Sequence, residues 1–396
     1  MYKFLTKHDG EMKYKKIESE REVAFIIYDI IEVRIPKKVY YRFARKYSDK
    51  DIITYCPHKN VYNAITKRRL YYIAEENDIP IIGHTAFGLI DRGTNLIQVR
   101  PCTGCNLNCI FCSVDEGKSK TRVTDYMVDV DYLVKKFKEI VDYKREKCGD
   151  IRIEAHIDGQ GEPFLYPYIK ELIKRLHGIA DIVSTQTNGT LLTNKDIGEL
   201  EKYLDRINLS INSLDERKAS LLAGNPSYNL NHVVNLAKEI ANSEIDLLIA
   251  PVWLPGYNDE DIKDIVRFGK EIGAGKKWKA LGIQKYIRYR FGRNPKGVKP
   301  MSFKRFYQEL ERMGKGLRLY PQDFGIVRCR EIPRKFMVGE RLRVKIEMHG
   351  RIRGEMLAFS RDRVIQVTNT NKGIGDIVDV EIVRNRHNIY VAKEIK

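Results

Sequence analysis

Four of the chain's seven cysteines fall within residues 102 to 112, in "RPCTGCNLNCIFCSVDEG". Thiolates are soft ligands, and a short loop can aim several at one centre, so metal binding is the first chemistry this spacing offers. Zinc and iron compete for it. A structural zinc site takes two Cys-x-x-Cys knuckles separated by about a dozen residues or more. Here Cys102-x-x-Cys105 and Cys109-x-x-Cys112 are separated by only three, which disfavours zinc. Cys56, Cys148 and Cys329 are scattered, so a second metal centre would need distant segments. Cys329 stands between arginines in "VRCREIP", which lower a thiol pKa and make it a candidate reactive thiol, with an inert cysteine as the plainer alternative.

A ligand loop needs a rigid frame, and the flanking sequence supplies one. The apolar run "TNLIQVR" ends where the cysteines begin. Strand-like "DIRIEAHID", "ADIVSTQT", "RINLSIN", "IDLLIAPVW" and "ALGIQKYI" then alternate with the amphipathic stretches "DVDYLVKKFKEIVDYKREK", "YIKELIKRLHGI", "NKDIGELEKYL", "NLNHVVNLAKEIANS" and "NDEDIKDIVRFGKEIG". Such alternation predicts an α/β fold, a parallel sheet closed by right-handed crossovers into a full or partial barrel. Chemistry in that architecture gathers at the C-terminal ends of the strands, and each distinctive cluster falls at such an end. After residue 300 the pattern changes: "SFKRFYQELERMGK" reads as one helix. From about Val338 onward, five short alternating strands follow, as in a small barrel of oligonucleotide-binding type. The expected division is 1–90, a basic mixed segment of unassigned fold; 91–300, the α/β core; 301–333, a connecting helix and linker; and 334–396, the small barrel.

The composition bounds the partners. With 43% hydrophobic and 31% charged residues the chain is neither disorder-like nor membrane-like, and no run of about 18 apolar residues occurs. The N-terminus lacks the apolar stretch of a secretory signal, so a cytoplasmic protein without membrane association is expected, and stable disulfides are not. A formal charge of +18 and a pI near 9.4 favour a polyanionic partner, nucleic acid first. The alternative is charge kept for solubility or heat adaptation.

Cys105-x3-Cys109-x2-Cys112, with Phe111 before the last cysteine, resembles the radical SAM superfamily. The resemblance implies a partial (β/α)6 barrel in which three thiolates hold a [4Fe-4S] cluster and leave one iron open. S-adenosylmethionine binds that iron, and one electron from a donor such as ferredoxin or flavodoxin releases a 5'-deoxyadenosyl radical. By the same resemblance "GQGEP" nominates Gly161 and Glu162 as contacts to the methionine group, with Gln160 where the family has glycine. "TNG" nominates Asn188, "LSINS" nominates Ser210 and Asn212, and Cys102 is left extra to the motif. No residue is assigned a catalytic role, and His156 and Asp158 read as local structure.

Two basic features point toward RNA. Residues 276–300 carry nine Lys and Arg and no acid, interleaved with Trp278, Tyr286, Tyr289 and Phe291, a mixture suited to phosphates and splayed bases. Residues 334–396 hold fourteen Lys and Arg against eight acids. Through "VGE", Gly350, Gly354 and "GDIVDVEIV" they resemble the TRAM domain, an RNA-binding barrel of tRNA- and rRNA-modifying enzymes. Lys285, Arg288, Arg290, Arg293, Arg351 and Arg353 are the nominated RNA contacts. The expectation is a radical SAM enzyme modifying tRNA or rRNA. Modification of a protein or small metabolite, and a non-enzymatic metal-stabilised RNA-binding protein, are the alternatives.

Overall fold

The computed structural model describes residues 12 to 395. The N-terminal segment forms strands β1 (Tyr14–Glu18), β2 (Glu22–Ile27) and β3 (Ile31–Pro36), helices α1 (Lys37–Ala44) and α2 (Asp49–Tyr55), and strands β4 (Asn60–Asn63) and β5 (Arg69–Ile73). These five strands make an antiparallel sheet. Its sixth member is β8 (Thr124–Val128), which returns from the core sequence to run parallel to β5. All five residues of β8 are buried.

The core begins with β6 (Gly88–Asp91) and β7 (Leu96–Arg100) and continues after β8 with α3 (Val130–Cys148), β9 (Glu154–Ile157), α4 (Ile169–His177), β10 (Ile182–Thr187), α5 (Asn194–Leu200) and β11 (Arg206–Leu209). It then adds α6 (Glu216–Ala223), α7 (Leu230–Asn242), β12 (Asp246–Ile249), β13 (Val252–Trp253), α8 (Asp259–Glu271) and β14 (Gln284–Lys285). The sheet order is β12-β11-β10-β9-β7-β6, parallel except for β6. Pairing of Ile249 with Leu281, and of β13 with β14, adds the last expected strand position. The helices bury the faces that their periodicity predicts. In α3 the side chains of Leu133, Phe137, Ile140 and Val141 are buried, and the Asp129 carboxylate caps the helix by accepting from Tyr132 N–H.

After α9 (Phe303–Met313) a linker leads to β15 (Arg341–His349), β16 (Glu355–Ser360), β17 (Arg363–Thr368), β18 (Ile377–Arg384) and β19 (Val391–Glu394). They close as β15-β16-β17-β19-β18 around a core of their own, including Phe336, Ile346, Ile365 and Tyr390. The linker is not loose. Buried Lys144 of α3 pairs with Asp91 (2.7 Å), whose other oxygen accepts from Ile332 N–H. Cys148 and Cys329, 181 residues apart, form a disulfide there. This corrects both the expectation against disulfides and the reading of Cys329 as a free thiol. Spacing along the chain registers only local cysteine groups, and this pair meets because the linker folds back on the end of α3.

Candidate active site at the strand ends

A cavity of about 660 Å³ opens at the C-terminal ends of the core strands. The loop after β7 contributes Cys105, Cys109, Phe111 and Cys112, the loop after β9 contributes Gly161 and Glu162, and Asn188, Ser210 and Asn212 follow β10 and β11. The structure therefore brings the expected cofactor residues together around one space. Cys102 is buried behind them, its Sγ facing the Glu162 carbonyl at 3.9 Å, outside the cavity lining.

The cysteine loop is held at both ends. Gly104 N–H donates to the Gln160 carbonyl and Glu162 N–H to the Gly104 carbonyl, so the two motif loops zip together. Gly161 has φ +154°, and a Cβ there would lie 2.0 Å from the Gly104 carbonyl oxygen, so no side chain fits. On the far side, Asn108 and Ile110 N–H donate to the carbonyls of Ala223 and Leu222 at the end of α6. Backbone N–H groups of Leu107 and Glu116 point at the sulfurs of Cys105 and Cys112, at 3.4 and 3.3 Å.

The donor set suits a cluster better than a single ion. Among the described residues, no group of three or more His, Cys, Asp or Glu side chains is placed to hold one metal ion. Three thiols lining one cavity match the ligand count of a cluster held by three cysteines, and N–H groups aimed at sulfur are how proteins tune such clusters. Burial pushes the Cys109 thiol up to about 12, with Cys112 adding to the rise and Arg293 opposing it. A cationic metal core would reverse that balance. Burial also raises the Glu162 carboxyl, against which Asn188 N–H (2.8 Å), Phe164 N–H (3.0 Å) and the Thr187 hydroxyl (2.7 Å) act. These donors fix a carboxylate beside the cysteines without an arginine or lysine partner, an arrangement that can receive an ammonium group.

Several contributors carried no strong signal in the sequence. Phe306, Tyr307 and Leu310 of α9, read as part of a connector, line the cavity from above; the amphipathic spacing of "FKRFYQELERM" was the available clue. Asp158, read as local structure, lines the cavity with Arg100, paired through Arg100 Nε at 3.0 Å. Burial alone would raise the Asp158 carboxyl, but Arg100 holds it below its usual range.

The nominated RNA contacts separate into two groups. Arg288, Arg290 and Arg353 are exposed, and Lys285 lines the cavity mouth with its ammonium 4.6 Å from the centre of the Phe303 ring. Arg293 turns inward: Nε donates to Asp115 (2.8 Å) and the remaining nitrogens to the carbonyls of Cys109, Glu116 and Lys118. Arg351 is 2% exposed and bonds Glu116, Asp125 and the Thr124 carbonyl. The RNA assignments of Arg293 and Arg351 are therefore corrected. Both guanidiniums are spent on carboxylates and carbonyls of the cysteine loop and β8, and neither is left for phosphate.

A parallel sheet with a three-cysteine loop after its first parallel strand and a carboxylate after the second defines the radical SAM class of enzyme. The chain belongs to the radical SAM superfamily, whose profile matches residues 99–269, and it ends in a TRAM domain matched over residues 335–389. Its cofactors are a [4Fe-4S] cluster and S-adenosylmethionine. An uncharacterized protein of Methanocaldococcus jannaschii is 46% identical over 372 residues, covering 87% of this chain and 84% of the relative. GTP 3',8-cyclase of Aquifex aeolicus is 28% identical over 187 residues, and the alignment spans 55% of its length. Among solved structures, TYW1 with a lysine-pyruvate adduct aligns at a TM-score of 0.40 and 17% identity, over 76% of this chain and 85% of that one. Streptococcus suis SuiB aligns at 0.41 and 18%, over 60% and 48%. No helix among the described residues is long and apolar enough to cross a membrane.

Proposed function

We propose that this enzyme modifies RNA, with Cys105, Cys109 and Cys112 as the cluster ligands. Gly161, Glu162, Asn188, Ser210 and Asn212 line the S-adenosylmethionine side of the cavity, and Phe111 packs beside them. When bound, the two cofactors and one electron from a low-potential donor such as a ferredoxin or flavodoxin supply a 5'-deoxyadenosyl radical that abstracts hydrogen from substrate. Glu162 receives the methionine ammonium, Phe306 and Leu310 exclude water from above, and Lys285 with Tyr289 meets the incoming group at the mouth.

The observation that carries the reading is the size and position of the cavity beside a basic, aromatic strand end. Pockets of about 300 to 1,000 Å³ take small ligands, so about 660 Å³ admits the cofactor and one base-sized group and excludes an RNA duplex. The reacting nucleotide must then be unpaired or turned out of its stack, as enzymes acting on bases require. Exposed Arg288 and Arg290, on the same stretch as mouth-lining Lys285 and Tyr289, and the TRAM domain support an RNA substrate.

The test is 5'-deoxyadenosine release by anaerobically reconstituted enzyme under reductant, with total RNA against an RNA-depleted extract. RNA-dependent release, with a changed nucleoside found by mass spectrometry, is expected. Release driven only by the RNA-depleted extract would favour a protein or small-metabolite substrate. RNA binding without any cofactor cleavage would leave a non-enzymatic module.

A further inference from the structure

Three arginines lie where the core meets the barrel, and among the described residues none is ion-paired. Arg92 follows β6, Arg384 ends β18, and Arg386 lies in the short turn that leads toward β19. The seam between the two parts is built in: residues 386–388 pack against β6, Ile332 N–H donates to Asp91, and the Asn388 amide donates to the Ile332 carbonyl at 2.9 Å. All three side chains are exposed, and none has a carboxylate within ion-pair distance among the described residues. Arg386 Nε donates to the His387 ring at 3.0 Å. Two neighbouring acids have partners, although Glu331 keeps its Oε1 buried without a hydrogen-bond partner among the described residues. Asp158 is held by Arg100, and Glu331 by Arg334 at 3.2 Å with His387 Nδ1 at 3.9 Å.

This grouping is unfavourable as it stands. Partial burial of its guanidinium and then Arg100, with Arg384 and Arg386 adding, hold Arg92 below its ordinary range, and Asp158 opposes them. Folds relieve like-charge crowding with carboxylates or by turning side chains apart. A cluster that keeps its crowding is suited to an anion that arrives later, and guanidinium forks match phosphate geometry.

The position is also connected to the chemistry. Arg92 Nε donates to the Gln98 side chain at 2.6 Å, Gln98 donates to Asp158 at 2.5 Å, and Asp158 with Arg100 lines the catalytic cavity. β6 is the edge of the core sheet, so the arginines flank the side of the partial barrel where the strands do not close.

We propose that Arg92, Arg384 and Arg386 form a joint phosphate-binding site at this seam, built half by the core and half by the barrel, which fixes the backbone of single-stranded RNA beside the cavity. The inference rests on the RNA reading for the identity of its ligand, and its site is separate from the cofactor wall.

Two probes test it with the full chain: a short fluorescein-labelled oligouridylate, followed by anisotropy across a salt series, and inorganic pyrophosphate, followed by thermal shift. The variants are R92Q, the pair R384Q/R386Q and the triple variant, with R343Q of β15 as control, since Arg343 already pairs with Asp379 of β18 at 3.6 Å. The triple variant should bind oligouridylate about tenfold more weakly, with the slope of log affinity against log salt reduced by about 1 for each phosphate that is no longer neutralised. R92Q and R384Q/R386Q should be non-additive, because they hold one ligand. The triple variant should melt no lower than the parent, since like-charge crowding is relieved, and should lose the pyrophosphate shift, while R343Q changes neither readout. If pyrophosphate stabilises the parent but not the triple variant while oligouridylate binds neither, the seam site stands and the RNA reading fails. Equal binding of both probes by parent and triple variant, or of neither by the parent, overturns the seam site.

Discussion

The proposed chemistry places four side chains, three cysteines and Glu162, in distinct environments at one cavity. Cys105, Cys109 and Cys112 line the cavity while Cys102 faces the Glu162 carbonyl behind it. Replacing any of the three by alanine should reduce iron in anaerobically reconstituted protein to background, measured as iron and sulfide per chain; C102A should retain both. Iron loss in C102A, or retention in C105A, would reassign the ligands. Glu162 makes a second prediction. Its carboxyl is raised by burial, so as pH falls through that raised value it takes a proton and stops attracting an ammonium. Affinity for S-adenosylmethionine should therefore decline on the acid side at a higher pH than an ordinary carboxylate would dictate. For folding, the raised value means the native state holds this proton more tightly than the unfolded chain. The stability this contributes is present below the ordinary carboxylate pKa and is lost as pH rises through the native one. E162Q should weaken cofactor binding about tenfold or more, by roughly 1.5–3 kcal/mol for a lost charged hydrogen bond, and flatten the acid decline. Equilibrium dialysis of cluster-loaded protein across pH reads both.

At the scale of elements, the core alternation was legible because parallel strands buried on both faces and amphipathic helices leave strong periodic signals. The parallel strand positions of the core sheet follow from that pattern, but the antiparallel edge strand β6 (Gly88–Asp91) was not read from it and begins in the stretch left unassigned. The strand β8 was not legible, since "TDYMV" is a short run next to a long helix, and its partner β5 lies in the N-terminal segment, which carries no clear periodicity of its own. α6 was missed for a similar reason: its eight residues are short, and its role is to receive the cysteine loop through backbone bonds. The fate of Arg351 shows what composition hides. It adds to the barrel's positive charge, yet it joins Arg68 of the N-terminal sheet in a buried cluster with Glu116 and Asp125. Glu116 in turn donates its N–H to Cys112 Sγ, so three regions of the chain meet at the cysteine loop. Removing one member of a buried charge cluster leaves its partners uncompensated, typically at a cost of about 3–5 kcal/mol. R351M should therefore lower the melting temperature of the apo protein sharply, and R351M/E116Q should recover part of the loss. A surface arginine would give a change within about 0.5 kcal/mol, and that result would remove the barrel from any role in supporting the loop.

Across the whole molecule the two ends of the chain are unequal in independence. The barrel closes on itself, carries a separate apolar core and leaves no open sheet edge. The remainder lacks that self-sufficiency. The Gly83 backbone lies against Val364, with Val364 N–H donating to the Ile82 carbonyl and Tyr390 N–H to that of Gly83, while Glu116 and Asp125 depend on Arg351 for charge balance. Separating the parts at residue 333 should therefore give opposite outcomes. The fragment 334–396 should fold alone and unfold cooperatively, though with a modest stability of about 3–5 kcal/mol set by its size. It should bind oligouridylate with a shallower salt dependence than the full chain, because Arg92 is missing. The fragment 1–333 should express poorly and fail to hold iron, since its lost arginine leaves two buried carboxylates beside the loop that carries Cys112. Circular dichroism melts of the first fragment and iron content of the second decide the matter. A soluble 1–333 that binds a full complement of iron would show the barrel to be an appended RNA handle; loss of iron there, with a well-folded barrel, makes it a structural partner of the cysteine loop.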